Sequence, residues 1–320
     1  MSENSRPVIE VKNLKVTFRL PTGDVRAIRG LDFILNENEV LALVGESGCG
    51  KSVGVKTVMG ILPASAVIES GEVIFHDGGE KTDLLKMKEP ARRKLINGTK
   101  IAMVFQDPMS SLNPKKQVGQ ILREALAIQG IGSGREERDR ITADALRRVG
   151  IPPEYANRYP SGFSGGQRQR IGIARALVSD PKLIIADECI AALDASVQAQ
   201  IVNMLHEIKE ETGTSLLFIS HDLSMVRFLS DRIGVLHLGY LLETGTSEEI
   251  FNAPVHPYTK GLLRAIPRMN PVMPSSESER YDPVSSGIDY ALGEWHSLSP
   301  THRVLCTDKE FDDWTEEDKG

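Results

Sequence analysis

The stretch from Val40 to Met59 constrains the fold of this chain more than any other. Its apolar start, Val40-Leu41-Ala42-Leu43-Val44, is typical of a buried strand, and residues 53–59 can continue as a helix. Between them lies Gly45-Glu46-Ser47-Gly48-Cys49-Gly50-Lys51-Ser52. A glycine-rich turn can link a strand to a helix without binding anything, but this spacing of glycine, lysine and serine is that of a phosphate-binding loop. The stretch predicts an α/β core with the loop at a strand end.

The residues of the loop define its predicted chemistry. Glycines at 45, 48 and 50 let successive backbone N–H groups turn inward, which makes an anion cradle at a helix N-terminus. Lys51 would place a positive charge on the β- and γ-phosphates of a nucleotide. The Ser52 hydroxyl would supply one ligand to Mg²⁺. We therefore expect residues 45–52 to hold a nucleotide.

Two later apolar runs end in polar side chains. Residues 183–186 lead into Asp187 and Glu188, and residues 216–219 lead to His221. Open α/β sheets bind ligands at the carboxyl ends of their strands. Asp187 could hold Mg²⁺, Glu188 could polarise an attacking water and His221 could contact the terminal phosphate. An acidic pair in this position can also cap a helix, so the pair by itself leaves both interpretations open.

The middle of the chain predicts a helical insertion. Gln106 follows the short apolar strand at 101–105 and could sense the terminal phosphate. Helical spacing then predicts a subdomain over about 107–162. Ser164-Gly165-Gly166-Gln167 opens the next helix, where a serine and two glycines could form a second anion site.

The N-terminal region predicts an antiparallel sheet edge. Residues 8–20 alternate in polarity, residues 21–24 supply a turn and residues 71–75 form another strand. Phe18 could stack on an adenine ring or lie in the core. The basic residues 92–94 are expected on a solvated helix face.

Composition excludes some functional classes. With 38 basic and 44 acidic residues, the formal charge of −6 shows no general footprint for nucleic acid. Apolar runs fall far short of the roughly 20 residues of a membrane-spanning helix. Neither a secretory signal nor a disulfide pattern is evident, so we expect a cytosolic chain whose Cys49, Cys189 and Cys306 are reduced.

In order and spacing, these motifs resemble those of the ATP-binding cassette family of transport ATPases over residues 8–268. The matching segments are Walker A at Gly45–Ser52, the glutamine loop at Gln106, the signature Phe163-Ser164-Gly165-Gly166-Gln167, Walker B ending at Asp187 with Glu188, the loop with Asp194, the switch His221, and Phe18 at the adenine-stacking position. The resemblance implies ATP and Mg²⁺ as cofactors. It implies Ser52, Gln106 and Asp187 as Mg²⁺ ligands, and it implies catalytic roles for Lys51, Gln106, Glu188 and His221.

Three segments narrow the resemblance to the importers of dipeptides, oligopeptides and nickel: residues 44–52, 105–114 and 256–259. This implies an ATPase subunit for import of peptides or a related small solute. It would pair head to tail with a second cassette, so that Ser164 and Gly166 of one cap the γ-phosphate at Lys51 of the other. Two membrane permease subunits and, indirectly, a solute-binding protein would complete the assembly, with no nucleic acid. The chain would lie at the cytoplasmic face of the inner membrane.

The chain also departs from the family pattern. Cys189-Ile190 stands where the family has Pro-Thr or Pro-Val, and Ala191 replaces a serine. Residues 269–320 resemble a shortened C-terminal extension of the peptide-importer type, and residues 301–306 match its end without its cysteine cluster. One cysteine cannot hold an iron–sulfur cluster. From their Pro, Ser, Glu and Asp content, residues 270–320 are expected to be loosely structured.

Two other functions stay open at this point. One is a weakly hydrolytic, regulatory cassette, which the substitutions at 189–191 allow and Glu188 and His221 oppose. The other is a non-transport cassette ATPase of DNA repair or translation. Such proteins usually have twin cassettes or long coiled coils, and this sequence has one cassette and no heptad run.

Overall fold

The computed structural model describes residues 6–107, 111–266, 281 and 286–317, except for the side chains of Leu95 and Glu317. The described strands are β1 (Pro7–Leu20), β2 (Gly23–Asn36), β3 (Val40–Val44), β4 (Ala66–Asp77), β5 (Glu80–Asp83), β6 (Ile101–Val104), β7 (Leu183–Asp187), β8 (Ser215–Ser220), β9 (Arg232–His237), β10 (Tyr240–Thr246), β11 (Glu294–Ser297) and β12 (Arg303–Cys306).

The described α-helices are α1 (Lys51–Met59), α2 (Glu89–Leu95), α3 (Val118–Gln129), α4 (Arg135–Arg148), α5 (Gly165–Leu177), α6 (Ala195–Thr212), α7 (Leu223–Leu229), α8 (Ser247–Asn252), α9 (Pro257–Arg264) and α10 (Asp308–Glu317). Short 3₁₀ turns at Pro153–Asn157 and Pro160–Gly162 connect α4 to α5.

A parallel sheet in the order β9-β3-β8-β7-β6 forms the centre of the molecule. Every residue of β3, β7 and β8 is buried, as their unbroken apolar runs predict for strands covered on both faces. Along β3, Val40, Ala42 and Val44 contact one hydrophobic layer, and Leu41 and Leu43 contact the other. The parallel direction brings the carboxyl ends of β3, β6, β7 and β8 to one edge of the sheet.

An antiparallel layer extends the sheet through β2, β1, β4 and β5. The long β1 and β2 pair across the turn at residues 21–22, and β4 joins the other side of β1. Buried apolar residues of this layer pack with one face of the central sheet. The predicted α/β phosphate-loop fold with an antiparallel subdomain is therefore confirmed.

A helical region between residues 118 and 177 packs on the other face of the central sheet. Leu122 of α3, Leu146 of α4 and Ile171 of α5 share its hydrophobic core. The helical spacing predicted these helices. Residues 108–110 of the predicted importer-type segment lie outside the described residues.

The prediction of a loose C-terminal extension is wrong for residues 286–317. The strand β12 pairs antiparallel with β10, through Val304 opposite Glu243, and β11 pairs with β12. Val304, Cys306 and Trp314 form a small core with Val255. The buried residues are few in a segment rich in Pro, Ser, Glu and Asp, so composition concealed them. The parts of the prediction that concern residues 267–280, 282–285 and 318–320 lie outside the described residues.

The prediction that residues 92–94 form a solvated face is wrong for Arg92. Its guanidinium is buried and donates to the carbonyl oxygens of Leu84 and Thr57, at 3.1 Å and 3.0 Å. Burial lowers the pKa of Arg92 to about 10. The side chain therefore joins α2 to α1, while Arg93 and Lys94 are exposed as predicted.

Candidate active site

The phosphate loop follows β3 and ends where α1 begins, as predicted. Glycines at 45 and 50 have φ values of 149° and 111°, which other residues rarely adopt. A Cβ at Gly45 would lie 2.1 Å from the carbonyl oxygen of Leu236, and a Cβ at Gly50 would lie 2.7 Å from that of Ala27. Glycine is therefore required at both positions, because the loop rests directly on β2 and β9.

Lys51 is enclosed by the loop that it ends. Lys51 is only 3% exposed, and its Nζ donates to the carbonyl oxygens of Gly45 at 2.6 Å and Glu46 at 2.9 Å. The first hydrogen bond of the helix runs from Gly54 N–H to the Gly50 carbonyl, so the N–H groups of residues 51–53 have no acceptor within α1. The ammonium and these N–H groups give the loop the donors and the positive charge that a phosphate requires.

Ser52 and Asp187 meet at the sheet edge, although 135 residues separate them in the sequence. The Ser52 hydroxyl donates to Asp187 Oδ1 at 2.8 Å. Asp187 is buried, and this burial raises the pKa of its carboxyl. A serine hydroxyl and a carboxylate side by side are hard oxygen donors of the kind that Mg²⁺ prefers. The pair fits a magnesium site.

Glu188 stands next to the loop and binds two of the predicted partners. Its Oε2 accepts from Gln106 Nε2 at 3.1 Å, and its Oε1 lies 3.8 Å from His221 Nδ1. The Glu188 N–H donates to the Ile219 carbonyl on β8, which fixes the backbone as β7 ends. Three strand ends therefore bring a carboxylate, an amide and an imidazole together.

Together with the start of the phosphate loop, Gln106, Glu188 and His221 line one cleft of about 470 Å³. Its walls are Gly45, Glu46, Ser47, Gln106, Glu188, His221, Leu223 and Leu262. Polar groups occupy the side of the strand ends, and two leucines supply the apolar side. Such a combination is typical of a ligand pocket.

Three groups of predicted site residues belong neither to this cleft nor to the phosphate loop with its partner Asp187. Phe18 is half-buried on β1 and pairs with Val25 of β2, near the Ala27 carbonyl that supports Gly50. Asp194 is exposed at the start of α6. The structure shows no contact between either residue and the cleft.

The signature segment is the third group. Ser164 and Gln167 form a capping box at the start of α5, in which each side chain bonds the backbone N–H of the other. Ser164 and Gly165 are exposed, and a Cβ at Gly166 would lie 2.5 Å from Val197 of α6. The segment therefore presents a fixed helix N-terminus on the surface, next to the loop with Asp194.

Tyr258 is the residue of the site that sequence reasoning missed. Its hydroxyl accepts a hydrogen bond from the backbone N–H of Glu46 at 3.0 Å, across 212 residues of sequence. Leu262, one helical turn further along α9, reaches the cleft. The segment at 256–259 predicted a helix start and a family, but no local pattern indicated a contact with the phosphate loop.

Cys49 precedes a helix N-terminus, where the helix dipole is expected to favour a thiolate, and this expectation is wrong. The side chain is buried, and burial raises the pKa of the thiol more than the nearby Lys51 lowers it. Cys189 and Cys306 are also buried and unbridged, as expected for reduced thiols. Within the described residues no three His, Cys, Asp or Glu side chains are grouped so that they could hold a metal ion.

Comparison with known families identifies two matching regions. A family model described as ABC transporter matches residues 28–191. A second model, described as the C-terminal region of oligopeptide/dipeptide transporters, matches residues 242–283. In the part of the chain that the structure describes, no helix is long and apolar enough to cross a membrane.

Relatives of known description resemble the chain over nearly its whole length. It is 45% identical to the oligopeptide transport ATP-binding protein OppF of Bacillus subtilis, over 95% of this chain and 97% of that protein. It is 42% identical to the dipeptide transport ATP-binding protein DppF of Lactococcus lactis, over 95% of this chain and 96% of that protein.

Two solved structures have a similar fold. The ATP-binding cassette MJ0796, a dimer bound to ADP and Pi, superposes with a TM-score of 0.65 at 27% identity, over 75% of this chain and 98% of that one. The cbiO1 subunit from Clostridium perfringens, part of the ABC transporter complex cbiONQ, has a TM-score of 0.66 at 27% identity. The match covers 78% of this chain and 92% of cbiO1.

Proposed function

This chain belongs to the ABC transporter family, and on that premise we propose that it is the subunit that binds and hydrolyses ATP to power the import of oligopeptides or dipeptides. The single observation that carries the proposal is the convergence of the Gly45–Ser52 loop, Asp187 and Glu188 at one edge of the sheet. The peptide assignment is supported by the names of the relatives and by the match at residues 242–283.

The phosphates of ATP would lie in the loop, held by its backbone N–H groups and by Lys51. Ser52 and Asp187, with the side-chain oxygen of Gln106, would hold Mg²⁺. When bound, Mg²⁺ supplies charge neutralisation on the phosphate oxygens. Phe18, which pairs with Val25 of β2, would stack on the adenine.

Glu188 would act as general base on the attacking water. Its carboxylate is hydrogen-bonded by Gln106 on one side and faces His221 on the other, so its orientation towards the cleft is fixed. A positioned base of this kind contributes about 10²- to 10⁴-fold to a rate. His221 is exposed, and its ring would contact the terminal phosphate.

A second cassette would complete the site. Ser164 and Gly165 are exposed and Gly166 is half-buried, and none of the three lines the cleft of its own chain. In a head-to-tail pair these residues, with Gln167 and Asp194, would face the phosphates bound by the other cassette. This arrangement explains why an exposed helix N-terminus carries a capping box and two glycines.

Two permease subunits would anchor the pair to the cytoplasmic face of the membrane, and a solute-binding protein would deliver peptide to these permeases. The helical region between Gln106 and Ser161 would dock on them. It offers Ile128 of α3, which is 87% exposed. A large apolar side chain in that position supports a contact with another subunit.

Nucleotide binding by the full chain tests the ATP site. Lys51→Ala removes the only side-chain cation seen inside the loop among the described residues, and we expect ATP affinity to fall at least tenfold. Lys94→Ala, on the exposed face of α2, is the matched control and should bind ATP as the unmodified chain does. Titration with a fluorescent nucleotide measures both. Equal affinity for all three proteins would contradict the site.

Vesicles that contain the chain and its permeases test the transported solute. We expect uptake of a labelled oligopeptide or dipeptide that requires ATP on the side of this chain. ATP-dependent uptake of another solute, with none of either peptide, would overturn the peptide assignment while leaving the ATPase intact.

A further inference from the structure

A buried aromatic cluster lies directly beneath the phosphate loop. It consists of His237 at the end of β9, Tyr258 on α9, and Tyr281 and Tyr290 from the C-terminal extension. We call these four residues the Tyr258 cluster. The chemistry described above uses none of them, although Tyr258 contacts the loop.

We propose that Tyr258 is a positioning residue for ATP, whose hydroxyl holds the terminal-phosphate end of the loop in the conformation that receives the nucleotide. The inference rests on the proposed function as an ATPase and adds the C-terminal extension as the support of its site.

Two hydrogen bonds hold the backbone of Glu46, one at its N–H and one at its carbonyl. The Glu46 N–H donates to the Tyr258 hydroxyl at 3.0 Å, and the Glu46 carbonyl accepts from Lys51 Nζ at 2.9 Å. Tyr258 is 1% exposed, so its hydroxyl reaches Glu46 from inside the protein. Burial also raises the pKa of this hydroxyl, which keeps it neutral in the physiological range.

The rest of the cluster fixes the Tyr258 ring. The ring stacks on His237, with centroids 4.1 Å apart and planes 25° from parallel. His237 Nδ1 is hydrogen-bonded to the Tyr290 hydroxyl at 2.8 Å, which in turn lies 3.1 Å from that of Tyr281. The Tyr258 N–H donates to His256 Nδ1 at 3.0 Å, and this bond fixes the start of α9. A ring held in this way presents its hydroxyl in one place.

The position of Glu46 predicts which phosphate is affected. Gly45, Glu46 and Ser47 line the same cleft as Glu188 and His221. If hydrolysis occurs there, this end of the loop faces the terminal phosphate of ATP, which ADP lacks. Loss of the Tyr258 hydroxyl should therefore weaken ATP binding more than ADP binding.

Tyr258→Phe in the full chain removes the hydroxyl and keeps the ring. We expect the Kd for ATP to rise about five- to tenfold, as for the loss of one hydrogen bond, and the Kd for ADP to change less than twofold. Tyr290→Phe is the matched control. It removes a hydroxyl of the same cluster that reaches the Tyr258 ring only indirectly, through His237 and Tyr281, so it should weaken ATP binding by a smaller factor than Tyr258→Phe does. Thermal unfolding of each variant monitors the fold.

Equal loss of ATP and ADP affinity in both variants would reveal a merely structural role and overturn the proposal. Unchanged ATP affinity in Tyr258→Phe would overturn it as well, while the proposed function stands because the unmodified chain binds ATP. If the unmodified chain binds no ATP, both the proposal and the proposed function fail.

Amide hydrogen exchange of the unmodified chain gives a measurement that needs no variant. The Glu46 N–H should exchange at least tenfold more slowly than an unstructured amide, and an unprotected Glu46 N–H would contradict the proposal.

Discussion

Glu188 adopts a left-handed backbone conformation, with φ of 46°, directly after the buried Asp187. A non-glycine residue in this region carries backbone strain, which persists only where the surroundings enforce it. Here the Glu188 N–H bond to Ile219 and the Gln106 bond to the carboxylate enforce it. The turn aims the carboxylate into the cleft, whereas continued strand geometry would direct it elsewhere.

Cys49 gives a residue-level test of the loop. Because the side chain is only 4% exposed and its pKa is raised, we expect alkylation at neutral pH to be at least tenfold slower in the folded chain than in urea. Mg-ATP should slow it further. Mass spectrometry of the peptide that contains Cys49 measures the rate, and Cys49→Ser confirms the assignment. Equal rates in the folded and unfolded chains would contradict the burial.

At the scale of elements, the start of α5 combines a cap with a predicted contact to a second cassette. Ser164→Ala removes the cap, which should cost about 1 kcal/mol of unfolding free energy. The same change removes the Ser164 hydroxyl as a preorganised donor to the γ-phosphate, which should lower ATP turnover about 100-fold. Thr246→Ala is the matched control because it breaks the capping box of α8. It should lower stability similarly and leave turnover unchanged, as measured by denaturant unfolding and phosphate release.

The same variant shows whether the α5 contact acts in trans. A mixture of Ser164→Ala and Lys51→Ala subunits contains dimers with one intact composite site and one doubly damaged site. We expect partial recovery of hydrolysis in the mixture. If the subunits pair but the mixture stays as inactive as either variant, then either Ser164 does not act across the interface or hydrolysis requires both composite sites to be intact. Full activity of Ser164→Ala alone would exclude the shared site altogether.

The start of α9 makes stability depend on pH. Burial, with a smaller contribution from His237, lowers the pKa of His256 from 6.5 to about 3. Below pH 6.5 the unfolded chain therefore takes up a proton that the native chain does not, and this histidine destabilises the native state as the pH falls further. The loss should be about 1 kcal/mol between pH 7 and 5.5.

His256→Asn keeps an acceptor for the Tyr258 N–H and removes the titration. Denaturant unfolding at the two pH values should show that the unmodified chain loses about 1 kcal/mol more than the variant. Equal losses would mean that His256 is protonated in the native state or exposed to solvent.

At the scale of the whole molecule, local sequence patterns predicted the strands, helices and turns whose formation depends on residues close together in the chain. The apolar runs specified β3, β7 and β8, and the loop between β3 and α1 followed from its glycines and lysine. Helix spacing specified α3 and α4, and the segment from Ser164 to Gln167 indicated the start of α5. The resemblance to the cassette family named Gln106, Glu188 and His221, and the topology of the sheet then explains why they meet.

Long-range contacts could not be predicted in this way. The bond from Glu46 to Tyr258 and the pairing of β12 with β10 join segments far apart in sequence, and neither leaves a periodic pattern. Arg92 appeared to be a surface cation because its buried acceptors are backbone carbonyls, which every residue type supplies. Burial likewise reversed the shift expected for Cys49, because desolvation outweighs the charge of Lys51.

ATP hydrolysis at the Gly45–Ser52 loop, with Glu188 as the base, is tested most directly by phosphate release and ATP binding measured together on the full chain. Glu188→Gln should bind ATP within about twofold of the unmodified chain and lose at least 100-fold in turnover, because the carboxylate acts on water and not on the nucleotide. Glu207→Gln, the same change on the exposed face of α6, should alter neither. Turnover by Glu188→Gln equal to that of the unmodified chain would contradict the assignment of the base and, with it, the mechanism proposed for this site.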